Sequence, residues 1–160
     1  MTALYGRTSC TVATPLGAAL IVQSNGRAIV GARFVRRAPG AALRPRDALL
    51  REAARQVRAY FAKRLRTFDV PLEFDGTPFQ LDVWRFVAHL EAGEIVSYSD
   101  VARLIGRPRA HRGVAAAMCK TPADLFVPAH RVVGADGTVR GAGPGSMRRR
   151  LLAFEGIRLR

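Results

Sequence analysis

The sequence contains only two cysteines in 160 residues, Cys10 and Cys119. That excludes a disulfide framework and a cysteine-built structural zinc site, both of which need more thiols. It lacks any apolar run approaching the roughly 18 residues that a membrane helix requires, so no membrane span is expected. Met1 to Thr8 carry no apolar core behind a basic segment, and no signal peptide is expected either. These absences lead to an expectation of a reduced, cytoplasmic chain without metal or cofactor. Acidic residues are scarce as well, 12 against 26 basic ones, leaving a formal net charge of +14. Such an excess favours a polyanionic partner, because cations that neutralise phosphates release condensed counterions. Charge does not locate the contact: residues 1–75 hold 13 basic and 5 acidic side chains, and residues 76–160 hold 13 and 7.

What is present is an ordinary globular balance, 49% hydrophobic and 24% charged, which is apolar enough to bury a core. Thr11–Thr14, Ala18–Gln23 and Ala28–Val35 are β-prone runs separated by Pro15-Leu16-Gly17 and by Ser24-Asn25-Gly26, a hairpin signal. Ala38–Pro45 is a Pro/Gly-containing loop. From Arg46 to Arg64, Leu49, Leu50, Ala53, Val57, Tyr60 and Phe61 recur at helical spacing. Phe68–Phe74 alternates again and is expected to be one more strand. These elements define a small α+β domain over residues 1–75.

Gly76-Thr77-Pro78 marks a boundary, with Thr77 as a helix cap and Pro78 at the first helical position. That helix should run to about Leu90. Ser97-Tyr98-Ser99-Asp100 opens a second helix, Gly106-Arg107-Pro108 ends it, and Ala110–Lys120 forms a third; the last two make a helix-turn-helix pattern. The third helix is unusual for the small side chains of Gly113-Val114-Ala115-Ala116-Ala117, which admit close approach of its backbone to a partner. Gly134–Ser146 is glycine-rich and loop-like, and Met147–Glu155 is a basic helix.

Across Thr77–Ile157 the ordered motifs Phe79-Gln80, Val83-Trp84, Gly93-Glu94, Ser97-Tyr98, Ile105-Gly106-Arg107-Pro108, Arg112 with its small-residue helix, Pro128-Ala129-His130-Arg131-Val132 and Leu151–Glu155 resemble the C-terminal domain of the O6-alkylguanine-DNA alkyltransferases. The first half resembles the family's ribonuclease-H-like domain more loosely. The resemblance implies an α+β protein, with a ribonuclease-H-like domain at 1–75 and a mostly helical, winged-helix-like DNA-binding domain at 76–160. It also implies a partner, double-stranded DNA containing O6-alkylguanine. In that family a cysteine thiolate displaces the alkyl group from guanine O6 and keeps it. A histidine acting through water makes the thiolate, and a glutamate orients the histidine. His130 and Glu155 match those two residues, but the acceptor position is Ala129, whose methyl group has no lone pair to offer.

The resemblance further implies that Arg112 fills the space left by a flipped nucleotide and that Gly113, Ala115 and Ala116 face the minor groove. Tyr98 would hold a phosphate beside the flipped base, and Met118, Arg131 and Val132 would line or read the lesion. Two departures stand out. Thr121 replaces the family's asparagine before Pro122, which alters one hydrogen bond near the site. The loop Arg140-Gly141-Ala142-Gly143-Pro144-Gly145 lacks the usual aromatic and is one residue shorter, which opens the pocket. The expected function is therefore a monomeric, non-transferring sensor that flips the lesion and marks it for nucleotide excision repair proteins. The alternative is a methyltransferase whose acceptor cysteine was replaced. An ordinary helix-turn-helix regulator of undamaged sequence would need a polar recognition helix, which the alanine-rich segment is not.

Overall fold

A computed structural model describes residues 6–37, 45, 47–139 and 146–159. The expected loops at 38–44 and at 140–145 lie outside the described residues. The chain divides into two compact units, one ending at Phe74 and joined by Pro122–Asp124, the other formed by Asp75–Thr121 and the residues from Leu125 onward.

In the first unit the β-prone runs pair as an antiparallel sheet of β1 (Thr8–Ala13), β2 (Ala19–Ser24) and β3 (Ile29–Val35), in that order. The hairpin signal between β2 and β3 works through Asn25, whose Oδ1 accepts from the backbone N–H groups of Arg27 and Ala28 at 2.9 Å each. Helix α1 (Ala48–Phe61) packs Leu50, Ala53, Ala54, Val57 and Tyr60 inward. Asp47 caps it, accepting from the Leu49 N–H at 2.8 Å and from the Ser24 hydroxyl at 2.7 Å, which ties the helix start to the sheet.

The strand expected at Phe68–Phe74 does not form. Only Leu72 makes a bridge, parallel to Ile29, with Pro71 O accepting from Ile29 N–H at 2.8 Å and Ile29 O accepting from Glu73 N–H at 3.0 Å. Pro71 has no N–H to give, so a ladder cannot extend through it. The place of another strand neighbour is taken by Pro122–Asp124, which the sequence pattern did not indicate. Asp124 N–H donates to Ala32 O at 2.9 Å, and the Asp124 carboxylate accepts from Phe34 N–H at 3.2 Å.

The second unit is built from α2 (Pro78–Ala88), β4 (Val96–Ser97), α3 (Tyr98–Leu104), α4 (His111–Cys119), a 3-10 turn (Ala129–Arg131), β5 (Val132–Val133) and α5 (Met147–Phe154). Two reciprocal caps start its first helices, Thr77 with Gln80 on α2 and Ser97 with Asp100 on α3. Val83, Trp84 and Val87 of α2 face the core with Val101 of α3 and Val114 of α4. Trp84 Nε1 donates to the Ala117 carbonyl at 3.0 Å, so a buried indole pins α2 to α4. The parallel pairing of β4 with β5, Val96 against Val132, holds the start of α3 beside the segment that carries residues 129–131. Leu125, buried with a left-handed φ of 72°, turns the chain into the buried run Phe126-Val127-Pro128.

Thr77→Ala removes one half of the α2 capping box. The urea midpoint should fall by the equivalent of about 1 kcal/mol, with an unchanged denaturant slope. No change would mean that packing of Val83 and Trp84 alone fixes the helix start.

Candidate functional site

The turn at Ala129–Arg131 is held by Ala129 N–H donating to Val127 O at 2.8 Å and by Arg131 N–H donating to Pro128 O at 3.0 Å. It places three consecutive side chains in the interior: Ala129 is 8% exposed, His130 2% and Arg131 1%. Two of them are polar, and burial of polar groups demands partners. Both find the same one. Glu155, at the end of α5, has a side chain only 1% exposed. Its Oε1 lies 2.9 Å from His130 Nε2. Arg131 donates from Nε to both carboxylate oxygens, at 3.0 and 3.1 Å, and from a terminal nitrogen to Oε1 at 2.6 Å. The other end of the guanidinium donates to the Leu90 carbonyl at 2.6 Å, and Gly93 N–H donates to Glu155 Oε2 at 3.3 Å.

A carboxylate at a helix C-terminus is opposed by the helix dipole. Glu155 occupies that position because Gly156, at φ 84°, closes α5 in a Schellman turn: Gly156 N–H donates to Ala153 O and Ile157 N–H to Leu152 O. Burial penalises ionisation of Glu155, yet the hydrogen bonds and charges of His130 and Arg131 win and hold its carboxyl well below the usual range. Burial is also the largest influence on His130 and pushes its pKa down. The Glu155 contact works the other way, and the Arg131 and Arg148 charges add to the lowering. The arrangement at neutral pH is an ion pair of Arg131 with Glu155 beside an uncharged imidazole. With Nε2–H directed at Glu155, the lone pair is on Nδ1. That is the tautomer of a general base.

The remaining expected site residues fall into two groups. Tyr98, Met118 and Val132 are buried, at 7%, 0% and 0% exposure. Arg112 and Ala116 are exposed on the outer face of α4, with Ala115 half-buried beside them; Cys119 is exposed one turn further on. Thus His130, Arg131 and Glu155 come together, while Arg112 and the alanines form a separate, outward-facing surface. Two residues take roles other than those expected. Arg131, expected against the lesion, spends its guanidinium on Glu155 and Leu90 with no exposed face. Gly113, expected against DNA, meets Phe79 of α2: a Cβ there would stand 3.0 Å from the ring.

Sequence reasoning missed Arg148, which donates to the Met118 carbonyl at 2.7 Å and so ties α5 to the C-terminal end of α4. Thr121, where the resemblance led to an altered hydrogen bond being expected, donates its hydroxyl to that same carbonyl at 2.8 Å. An arginine embedded between buried histidine and two valines was the available signal for the buried ion pair. Of the two thiols, Cys10 is buried in the first unit and burial pushes its pKa up, which keeps it protonated. Among the described residues no group of three or more metal-ligating side chains converges.

Acid should destabilise the chain through this network. Both folded-state pKa values lie below their ordinary values of about 6.5 for His130 and 4.5 for Glu155. The unfolded chain therefore binds protons that the folded chain refuses, so stability is complete above about pH 6.5 and is lost as pH falls. Glu155→Gln, which leaves Arg131 buried without its anion, should cost about 3–5 kcal/mol at neutral pH and flatten the loss below pH 4.5. Urea titrations across pH check both. An acid limb identical in the variant would remove Glu155 as its source.

The two units match two models of one family. Residues 78–157 match the 6-O-methylguanine DNA methyltransferase DNA-binding domain, and residues 8–74 match that family's ribonuclease-like domain. A methylated-DNA–protein-cysteine methyltransferase of Methanosarcina acetivorans is 41% identical over 111 residues, 69% of this chain and 71% of that protein. One of Methanosarcina barkeri is 43% identical over 95 residues, which span 60% of its length. Among solved structures, a Mycobacterium tuberculosis O6-methylguanine methyltransferase variant superposes with a TM-score of 0.79 at 34% identity, covering 94% of this chain and 93% of that one. The M. tuberculosis protein in complex with DNA gives 0.77 at 34%, covering 92% of each. With the α+β fold and its two units accounted for in family order, the chain belongs to the 6-O-methylguanine DNA methyltransferase family.

Proposed function

We propose that this chain is a lesion-binding member of the family that holds O6-alkylguanine in duplex DNA without removing the alkyl group. The observation that carries the reading is a complete His130–Glu155–Arg131 network beside a residue that cannot react. Displacement at an alkyl carbon needs a nucleophile with a lone pair, and the Ala129 methyl has none. The base is poised and the group it would deprotonate is missing.

Binding is assigned to the α3–α4 helix-turn-helix. Its exposed face combines Arg112 with Ala115 and Ala116, small enough to let groove walls approach, and is flanked by Arg107, Arg109 and Lys120. The related M. tuberculosis protein has been solved with DNA, which supports the assignment of DNA as partner. In this reading α4 enters the minor groove, Arg112 fills the gap left by the flipped nucleotide, and Tyr98 flanks the extruded base. The complex would then mark the lesion for nucleotide excision repair.

One observation favours the second reading, a methyltransferase with its cysteine replaced. The buried network is kept whole, although Glu155 sits at the disfavoured end of α5 and a binding protein has no need of a base. Both readings share the binding step and differ in whether alanine is the residue that the unmodified gene encodes at position 129.

Competition titrations with O6-methylguanine and undamaged duplexes test the binding step. The chain should prefer the lesion, and the recovered DNA should still carry its methyl group. Arg112→Ala should lower that preference by about 1–3 kcal/mol, the scale of one specific contact. Equal affinity for both duplexes, or demethylated DNA after release, would contradict the proposal.

A further inference from the structure

The second unit contains the surface assigned to DNA, yet the first unit carries the larger charge excess, 13 basic against 5 acidic residues before Gly76. Much of it converges on one element. Along α1, Arg51, Arg55 and Arg58 are exposed, and their spacing puts them on one face of the helix, opposite the buried Leu50, Ala53, Ala54 and Val57. The helix ends in a Schellman turn in which Lys63 N–H donates to Tyr60 O and Arg64 N–H to Ala59 O, both at 2.9 Å. Lys63 is held there at a left-handed φ of 60°, a position that usually falls to glycine. Lys63, Arg64 and Arg66 are all exposed beyond the helix end.

From Ala48 to Phe68 there are six basic residues and a single acidic one, Glu52, which is engaged by Arg55. Helix stability does not explain this pattern. The C-terminal dipole favours Arg58 and the cations after it, but Arg51 lies in the first turn, where the dipole favours acids. Like charges at Arg51 and Arg55, four residues apart, repel as well. Arg51 donates to the Pro45 carbonyl at 3.2 Å.

We infer that the outer face of α1 and the turn after it form a second polyanion-binding surface, fitted to the phosphate backbone of duplex DNA. Arg51 to Arg58 spans about 10 Å of helix axis. One strand of B-DNA passes about three phosphates in that distance. The exposed side chains named here are cations, so the surface would read charge and not sequence or lesion. It would hold the chain on undamaged DNA whether or not any alkyl group is transferred.

The test is the salt dependence of binding by the full chain to an undamaged duplex. In the variant Arg51→Gln/Arg58→Gln/Arg64→Gln/Arg66→Gln, the slope of log affinity against log salt should become shallower by about 3, at about 0.9 per phosphate contact. The affinity lost between about 50 and 200 mM salt would then shrink about 60-fold. Lesion preference should be unchanged, whereas Arg112→Ala should alter lesion preference and leave most of the slope. A control variant, Arg7→Gln/Arg33→Gln/Arg36→Gln/Arg37→Gln, removes the same charge elsewhere on the unit and should change the slope far less. Replacing the same four arginines by lysine should restore the slope, which separates charge from folding. An unchanged slope in the α1 variant, or an equal change in the control, would overturn the inference.

Discussion

The interior of the second unit depends on one carboxylate. Glu155 is placed where the α5 dipole opposes it and where burial opposes it again, and the hydrogen bonds of His130 and the bidentate Arg131 compensate. The same contact fixes three other things. It draws the 129–131 turn onto the end of α5. It brings the 90–93 turn in through the Leu90 carbonyl and the Gly93 N–H. It also gives His130 an acceptor for Nε2–H while leaving the ring neutral. A buried ion pair seldom adds net stability over an apolar substitute. Its persistence here is best understood through what it does to the imidazole: it settles the tautomer and directs a lone pair away from the carboxylate.

From that point the chemistry separates into a part that is present and a part that is not. Orientation and base are both in place, as in the nucleophile–base–orienter arrangement common to many covalent catalysts. Beside them Ala129 ends in a methyl group, which has no lone pair. The outward surface of α4 is set apart from this network by the buried Val114, Ala117 and Met118, and is tied to it through Arg148 and Thr121 at the Met118 carbonyl. The outward face of α4 and the buried network thus rest on different side chains.

Much of this was legible in the residues. Helical spacing located α1, α2 and α4, and the Thr77/Gln80 and Ser97/Asp100 pairs located helix starts because caps are local chemistry. His130 with Glu155 was legible only through the family pattern, since 25 residues separate them and no local rule joins them. Non-local pairing is where reading failed. Alternation at Phe68–Phe74 outweighed the missing N–H of Pro71, and nothing around Pro122–Asp124 advertised that it would pair with β3. Arg131 was expected against the lesion, and the structure buries its guanidinium on Glu155 and Leu90. Its apolar neighbours Val132 and Val133 carried the contrary signal. Gly113 was read as clearance for DNA, whereas the ring needing clearance is Phe79.

The central claim is that position 129 sits in an otherwise working site that lacks only its nucleophile. Intact-protein mass measurement of native chain and Ala129→Cys, each incubated with O6-methylguanine duplex, tests it most directly. The account predicts an unchanged mass for the native chain and one added methyl per molecule for the variant, abolished again by His130→Ala in the same background. Added mass on the native chain would contradict it, as would an Ala129→Cys variant that binds the lesion and stays unmodified.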